Sequence, residues 1–142
     1  MPDITRTIEI PAPPSAVWRW LSSEEGLRCW LSPELEIDLR VGGAYRMPGG
    51  DGKTQITGTV LTIVPEGSLV LSWMEEGSDW VHPGRLRISL EPLATGTRVE
   101  LVHDGFAGIG TTRWSEVERG YERGAERHQV LERLAHVVST RD

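Results

Sequence analysis

The stretch Arg98-Val99-Glu100-Leu101-Val102-His103, the turn Asp104-Gly105 and the run from Thr111 to Val138 decide how this chain folds. Val99, Leu101 and His103 alternate with Arg98 and Glu100, the two-residue period of a strand with one buried face. Beyond the turn the period changes. Trp114, Val117, Tyr121, Gly124, Ala125, His128, Leu131, Leu134, Ala135 and Val138 recur at helical spacing with Glu and Arg on the other side. That pattern predicts one long amphipathic helix laid on an apolar surface. Its interior holds Gly120 and Gly124, each costing about 1 kcal/mol against alanine. Both are read as facing the sheet, where a backbone approaches closely or space is left open.

Working outward toward the N-terminus, Ile4 to Ile10 alternates as a strand and stops at Pro11-Ala12-Pro13-Pro14, a corner that also opens a helix ending near Leu21. Ser22 with Glu25 reads as a capping box, with Glu24 and Glu25 in the first turn of a second short helix reaching Trp30. Leu35 to Leu39, Ala44 to Met47, Thr54 to Val64, Ser68 to Met74 and Arg85 to Leu90 follow as strands separated by Gly-rich and Pro-containing turns. With the first and last strands this makes about seven, and the short links leave no room for helical crossovers, so the sheet is antiparallel. A large sheet with one long helix must curl around that helix to be covered. The expected class is α+β, a grip with a hollow between sheet and helix.

At 142 residues and a formal charge of −6, with arginines interleaved among glutamates and Lys53 the sole lysine, the chain reads as one domain, 1–142, without a nucleic-acid surface. No apolar run approaches the ~20 residues of a membrane span, and Met1-Pro2-Asp3 lacks the features of a secretion signal, so a cytoplasmic protein is expected. The single cysteine, Cys29, lies among Leu27, Trp30 and Leu31 and reads as a buried thiol. Six tryptophans are many for a small core and suit equally a pocket lined by several of them and a solid core with a few at its rim. Trp80, beside His82-Pro83, reads as a loop ring packing over the sheet rim in preference to an exposed contact feature.

Five blocks occur in order: Thr7-Ile8-Glu9-Ile10-Pro11-Ala12-Pro13, Val17-Trp18, Leu27-Arg28-Cys29-Trp30, Arg40-Val41-Gly42-Gly43-Ala44-Tyr45, and Gly96 through Phe106. Together they resemble the START-like (SRPBCC) superfamily. More narrowly, they resemble homologues of the C-terminal domain of the activator of the 90-kilodalton heat-shock protein ATPase. The resemblance implies a helix-grip fold with two small helices after the first strand and a long C-terminal helix over a cavity. It also implies ligand space between that helix and the concave sheet.

By alternation, the positions that face this space are Trp73, Leu86, Ile88, Val99, Leu101, His103, Trp114, Val117, Tyr121, Gly124 and His128. The lining is mostly apolar, which suits a small hydrophobic molecule, with His103, Tyr121 and His128 to orient a polar end, although His103 reads first as a structural histidine bonding the turn backbone, and Tyr121 equally as a core ring with its hydroxyl at the rim. If both histidines face the hollow, affinity is expected to vary between about pH 5 and 7. Arg40 with Gly42-Gly43 reads as a strand-junction turn in preference to an anion cradle.

His128 and His136 are about two helical turns apart, too far to share an ion. No nucleophile elbow, phosphate loop or dinucleotide fingerprint is present, so no catalytic residue and no cofactor is assigned. Three readings stay open: non-catalytic binding of a hydrophobic ligand, a chaperone-interacting regulator, and a cyclase- or hydrolase-like enzyme using the pocket's polar groups. A homodimer through a strand edge is a further expectation.

Overall fold

The computed structural model describes residues 4–49, 53–78, 80–105, 109–111 and 114–141, and of residues 114, 124–128 and 141 the backbone only. Its strands are β1 (Ile4–Ile10), β2 (Glu36–Ile37), β3 (Ala44–Pro48), β4 (Gln55–Val64), β5 (Ser68–Glu75), β6 (Gly84–Leu93) and β7 (Gly96–Asp104). They form one seven-stranded antiparallel sheet in the order β1-β7-β6-β5-β4-β3-β2. β2 through β7 each pair with their neighbours in sequence, while β1 closes onto the last strand with Ile8 opposite Val99. The helix-grip architecture expected from the alternation is therefore present.

Between β1 and β2 stand two short helices, α1 (Pro14–Trp18) and α2 (Glu24–Arg28). Proline begins α1 because its missing N–H lies where no intrahelical partner exists. The cap of α2 is one residue later than the sequence suggests. Ser23, not Ser22, accepts the bond from the Gly26 amide, at 3.0 Å. The third helical position is then Gly26, which cannot return a side-chain bond, and no capping box forms. Glu24 instead accepts from the Ile37 amide at 2.9 Å, holding the short β2 against the helix. That strand is two residues long where five were expected.

The largest correction concerns the C-terminus. The expected single helix is two, α3 (Trp114–His128) and α4 (Val130–Arg141), broken at Gln129, whose φ of +50° is left-handed. A non-glycine residue there costs about 1 kcal/mol or more. Hydrophobic spacing did not show the break because the apolar stripe continues on both sides of it. α4 is anchored by Leu131, Leu134, Val137 and Val138, all buried, and packs on β1. Arg133 adds a bond from Nε to the Trp30 carbonyl at 3.0 Å, and the Trp30 indole donates to the Trp20 carbonyl at 2.9 Å. The helical layer is thus tied to itself as well as to the sheet.

Gly120 also departs from expectation. It is exposed, and a Cβ there would meet only the Arg123 guanidinium at 4.0 Å, so it does not face the sheet. Gly120→Ala should therefore raise stability by about 0.5–1 kcal/mol, because alanine loses less backbone entropy and meets no obstacle. A urea midpoint at or below the parent's would contradict this. Cys29, read as buried, is half-exposed at the C-cap of α2 and donates from Sγ to the Glu25 carbonyl at 3.4 Å.

On the sheet, Tyr45 lies across Gly58: a Cβ there would come within 2.7 Å of its ring. The buried phenol donates to the Ser72 carbonyl at 2.6 Å. Ser72 Oγ accepts from the Thr59 amide at 2.8 Å beside the register shift between Val60 and Thr62. A side chain thus supplies a bond where the ladder is irregular. Gly42, at φ +86°, and Gly43 make the turn into β3, with Gly43 N donating to Arg40 O at 2.8 Å, as the strand-junction reading requires.

Candidate functional site

The register stacks inward-facing residues in rows across three strands. Leu69, Ile88 and Leu101 form one row, and Leu71, Leu86 and His103 the next. Ile88 and Val99 are fully buried, so these expected lining residues form the floor of the core. Leu86 and Leu101 lie with them, and Val117 of α3 packs against the same cluster. The side chains of Trp114, Gly124 and His128 fall outside the described ones.

Toward the end of the sheet the lining becomes aromatic. Trp73 stands opposite Gly84, where a Cβ would crowd the Asp104 carbonyl at 3.0 Å and meet the Trp80 ring only at an ordinary contact distance of 3.9 Å. Trp80 is buried, in keeping with a loop ring packed over the sheet rim. The segment after β7 folds over it, with the Val81 and His82 amides donating to the Ile109 carbonyl at 2.6 and 3.1 Å. From α3, Tyr121 enters edge-on against all three neighbours. Ring centroids lie 5.7 Å from Trp73, 6.3 Å from Trp80 and 4.9 Å from His103, and Trp73 and His103 are 4.6 Å apart. Three of the residues expected to line the hollow, Trp73, His103 and Tyr121, are thus brought together.

Two acidic residues that sequence reading did not single out belong to this region. Glu75, two positions beyond Trp73 and so on the same face of β5, accepts a short hydrogen bond from the Tyr121 hydroxyl. Its alternation with Trp73 was the available signal. Glu118, three positions before Tyr121 on α3, is buried on the sheet-facing side. A charged residue on an apolar stripe was the corresponding signal there.

Burial sets the protonation states. His103 is pulled from 6.5 down to about 3 by desolvation, only partly opposed by the charge of Asp104, so its ring is neutral at physiological pH. Asp104 is turned to Arg85, which grips it with bonds of 3.1 and 2.8 Å. The Tyr121 hydroxyl is pushed well up by burial and by its bond to Glu75, and remains a donor. The cluster offers electron-rich rings, phenol and indole donors, a neutral imidazole and the Glu75 carboxylate, with Glu118 buried on the same side of α3 as Tyr121. Among the described residues no three His, Cys, Asp or Glu side chains stand together as metal ligands.

Glu75 also borders a surface cavity of about 430 Å³, shared with Lys53, Gln55, Glu76 and Ser78. A second cavity of about 290 Å³ lies between the end of α2 and α4, lined by Cys29, Gln129, Arg133 and His136 among others. The first adjoins the aromatic cluster through Glu75, and the second lies by the helix break.

A curved antiparallel sheet with two short helices after its first strand and a C-terminal helical segment across its inner face defines the START-like class. The chain belongs to the activator of Hsp90 ATPase homolog 1-like family, whose model matches residues 11–138. Among solved structures, protein MLL2253 from Mesorhizobium loti superposes with a TM-score of 0.80 at 20% identity over 99% of both chains. The Aha1 dimer from Colwellia psychrerythraea gives 0.72 at 16% identity, covering 99% of this chain and 98% of that one. DynU16, from the dynemicin biosynthetic locus, gives 0.73 at 19% identity, covering 97% of this chain and 47% of the other. No match was found among curated proteins. At these identities the likeness to solved structures shows the fold.

Proposed function

We propose that the chain binds a small hydrophobic molecule against the inner face of the sheet under α3, without catalysing its conversion. The observation that carries this reading is the joining of the buried Trp73, Trp80, His103 and Tyr121 rings to an open cavity through the Glu75 carboxylate. Apolar and aromatic walls with a few polar groups at one end are the usual make-up of a small-molecule site. Leu86, Ile88, Val99, Leu101 and Val117 serve as the apolar floor, and Trp114, Gly124 and His128 share the same stripe of α3. On this reading the chain works in the cytoplasm and as one domain, the latter supported by the connected core of the described residues.

Titration with an apolar environment-sensitive dye, followed by tryptophan emission, tests the proposal, since two tryptophans lie at the site. A saturable change competed by hydrophobic molecules is expected, and its absence across several lipids and aromatic compounds would refute it. Because His103 stays neutral far below pH 5, it contributes nothing to any affinity change between pH 5 and 7, unlike the expectation from its unperturbed value.

A protein-contact role is favoured by one finding, the family itself, together with a fold neighbour described as an Aha1 dimer. It predicts co-elution with the 90-kilodalton chaperone or a dimer in solution. Analytical ultracentrifugation alone and with the chaperone decides it, and sedimentation as a monomer in both runs would refute it.

A further inference from the structure

Glu75 is the one carboxylate among the described residues placed both against the aromatic cluster and at the wall of the 430 Å³ cavity. No ion pair joins it to a described cation: Arg46, across the sheet, reaches Glu76 instead, at 3.9 Å, and Arg85 is taken by Asp104 at 2.8 Å. Its described partner is the Tyr121 hydroxyl, a neutral donor. His103, which would supply a positive charge if protonated, is held neutral by burial. Among the described residues, the inner end of the site thus sets the Glu75 carboxylate beside aromatic rings with no cation paired to it. Carboxylate and ring faces attract the same kind of group, a cation, and more strongly as water is excluded. An acid in the same place would meet repulsion from Glu75, offset only by neutral donors, the Tyr121 hydroxyl and the Trp73 indole.

From this arrangement we infer that the ligand is an amphiphile with an apolar, preferably aromatic, body and a positively charged amine. The ammonium would bond to Glu75 in place of, or beside, the Tyr121 hydroxyl, with Trp73 and Trp80 against it. The inference rests on the proposed binding site and adds the charge of the ligand to it. Lys53 and Glu76 at the rim of the same cavity carry opposite charges, so the rim adds little net preference and discrimination falls to Glu75.

Three probes sharing one apolar body test it: naphthylethylamine, naphthylethanol and naphthylacetate, titrated calorimetrically at neutral pH. The amine is expected to bind about tenfold or more tighter than the alcohol, and the acid more weakly than either. In Glu75→Gln the amine should fall to the affinity of the alcohol, while the alcohol itself changes little. Glu100→Gln removes the same charge on the other face of β7 and should leave the ranking intact. Alcohol or acid binding as tightly as amine in the parent would overturn the charge inference while leaving the binding site standing. An amine preference that survives Glu75→Gln would overturn the assignment to this residue. No saturable heat with any of the three would take down the site and the inference together. The ranking in the parent needs no substitution, so the test holds even if Glu75→Gln fails to fold.

Discussion

Replacing Trp73 with alanine is expected to lower stability by about 3–5 kcal/mol, the range for deleting a large buried aromatic side chain. The ring is only 9% exposed and packs inside the cluster, meeting His103 at 4.6 Å and Tyr121 at 5.7 Å. Its neighbours come from β7 and α3, so its loss opens a cavity between sheet and helix that neither element can close by itself. Trp73→Phe retains ring contacts and should cost less than half as much. Urea unfolding of the two variants beside the parent is the measurement. Alanine and phenylalanine variants of equal stability would show that the cluster contributes no specific packing.

The second large effect is acid destabilisation through His103. The folded chain keeps this ring neutral down to about pH 3, whereas the unfolded chain protonates it near 6.5. Between those values the unfolded state binds one more proton, so stability is full above pH 6.5 and falls as pH drops, by up to about 1.4 kcal/mol per unit. The window from pH 6.5 to roughly 5 is the informative one, because most carboxylates remain ionised there. His103→Gln should remove this slope, since glutamine does not titrate. Urea midpoints across that window compare the two chains. A parent slope that persists unchanged in His103→Gln would assign it to other groups and overturn the reading of a buried neutral ring.

Much of the fold was legible because it rests on local periodicity. The two-residue alternation of Val99, Leu101 and His103 and of Leu86, Ile88 and Leu90 gave strands whose inward residues are indeed buried. Short Gly and Pro turns fixed their antiparallel sense, and the sheet order follows. The helix break was not legible, because Gln129 has no unusual spacing and its left-handed backbone is imposed by how α3 and α4 dock. The cap of α2 was misplaced by one residue because Ser22 and Ser23 are both suitable caps and only the chain path selects between them.

The candidate site divides in the same way. Trp73, His103 and Tyr121 were legible as inward positions. Trp80 was legible as a loop ring packed over the sheet rim, but not as a neighbour of Tyr121, which reaches it from α3. Glu75 was overlooked because a carboxylate at a strand end ordinarily points to water, and its role depends on Tyr121, 46 positions away, arriving above it.

The amino-acid sequence by itself determined the α+β class, the strand faces, the two short helices and the family, because each follows from periodicity, turn chemistry and the order of short blocks. Tertiary structure alone decided where the helical layer breaks, which tryptophans meet, that His103 loses its proton affinity, and that Glu75 stands at the aromatic end. These properties depend on desolvation and on contacts between residues far apart in the chain, which no local pattern encodes.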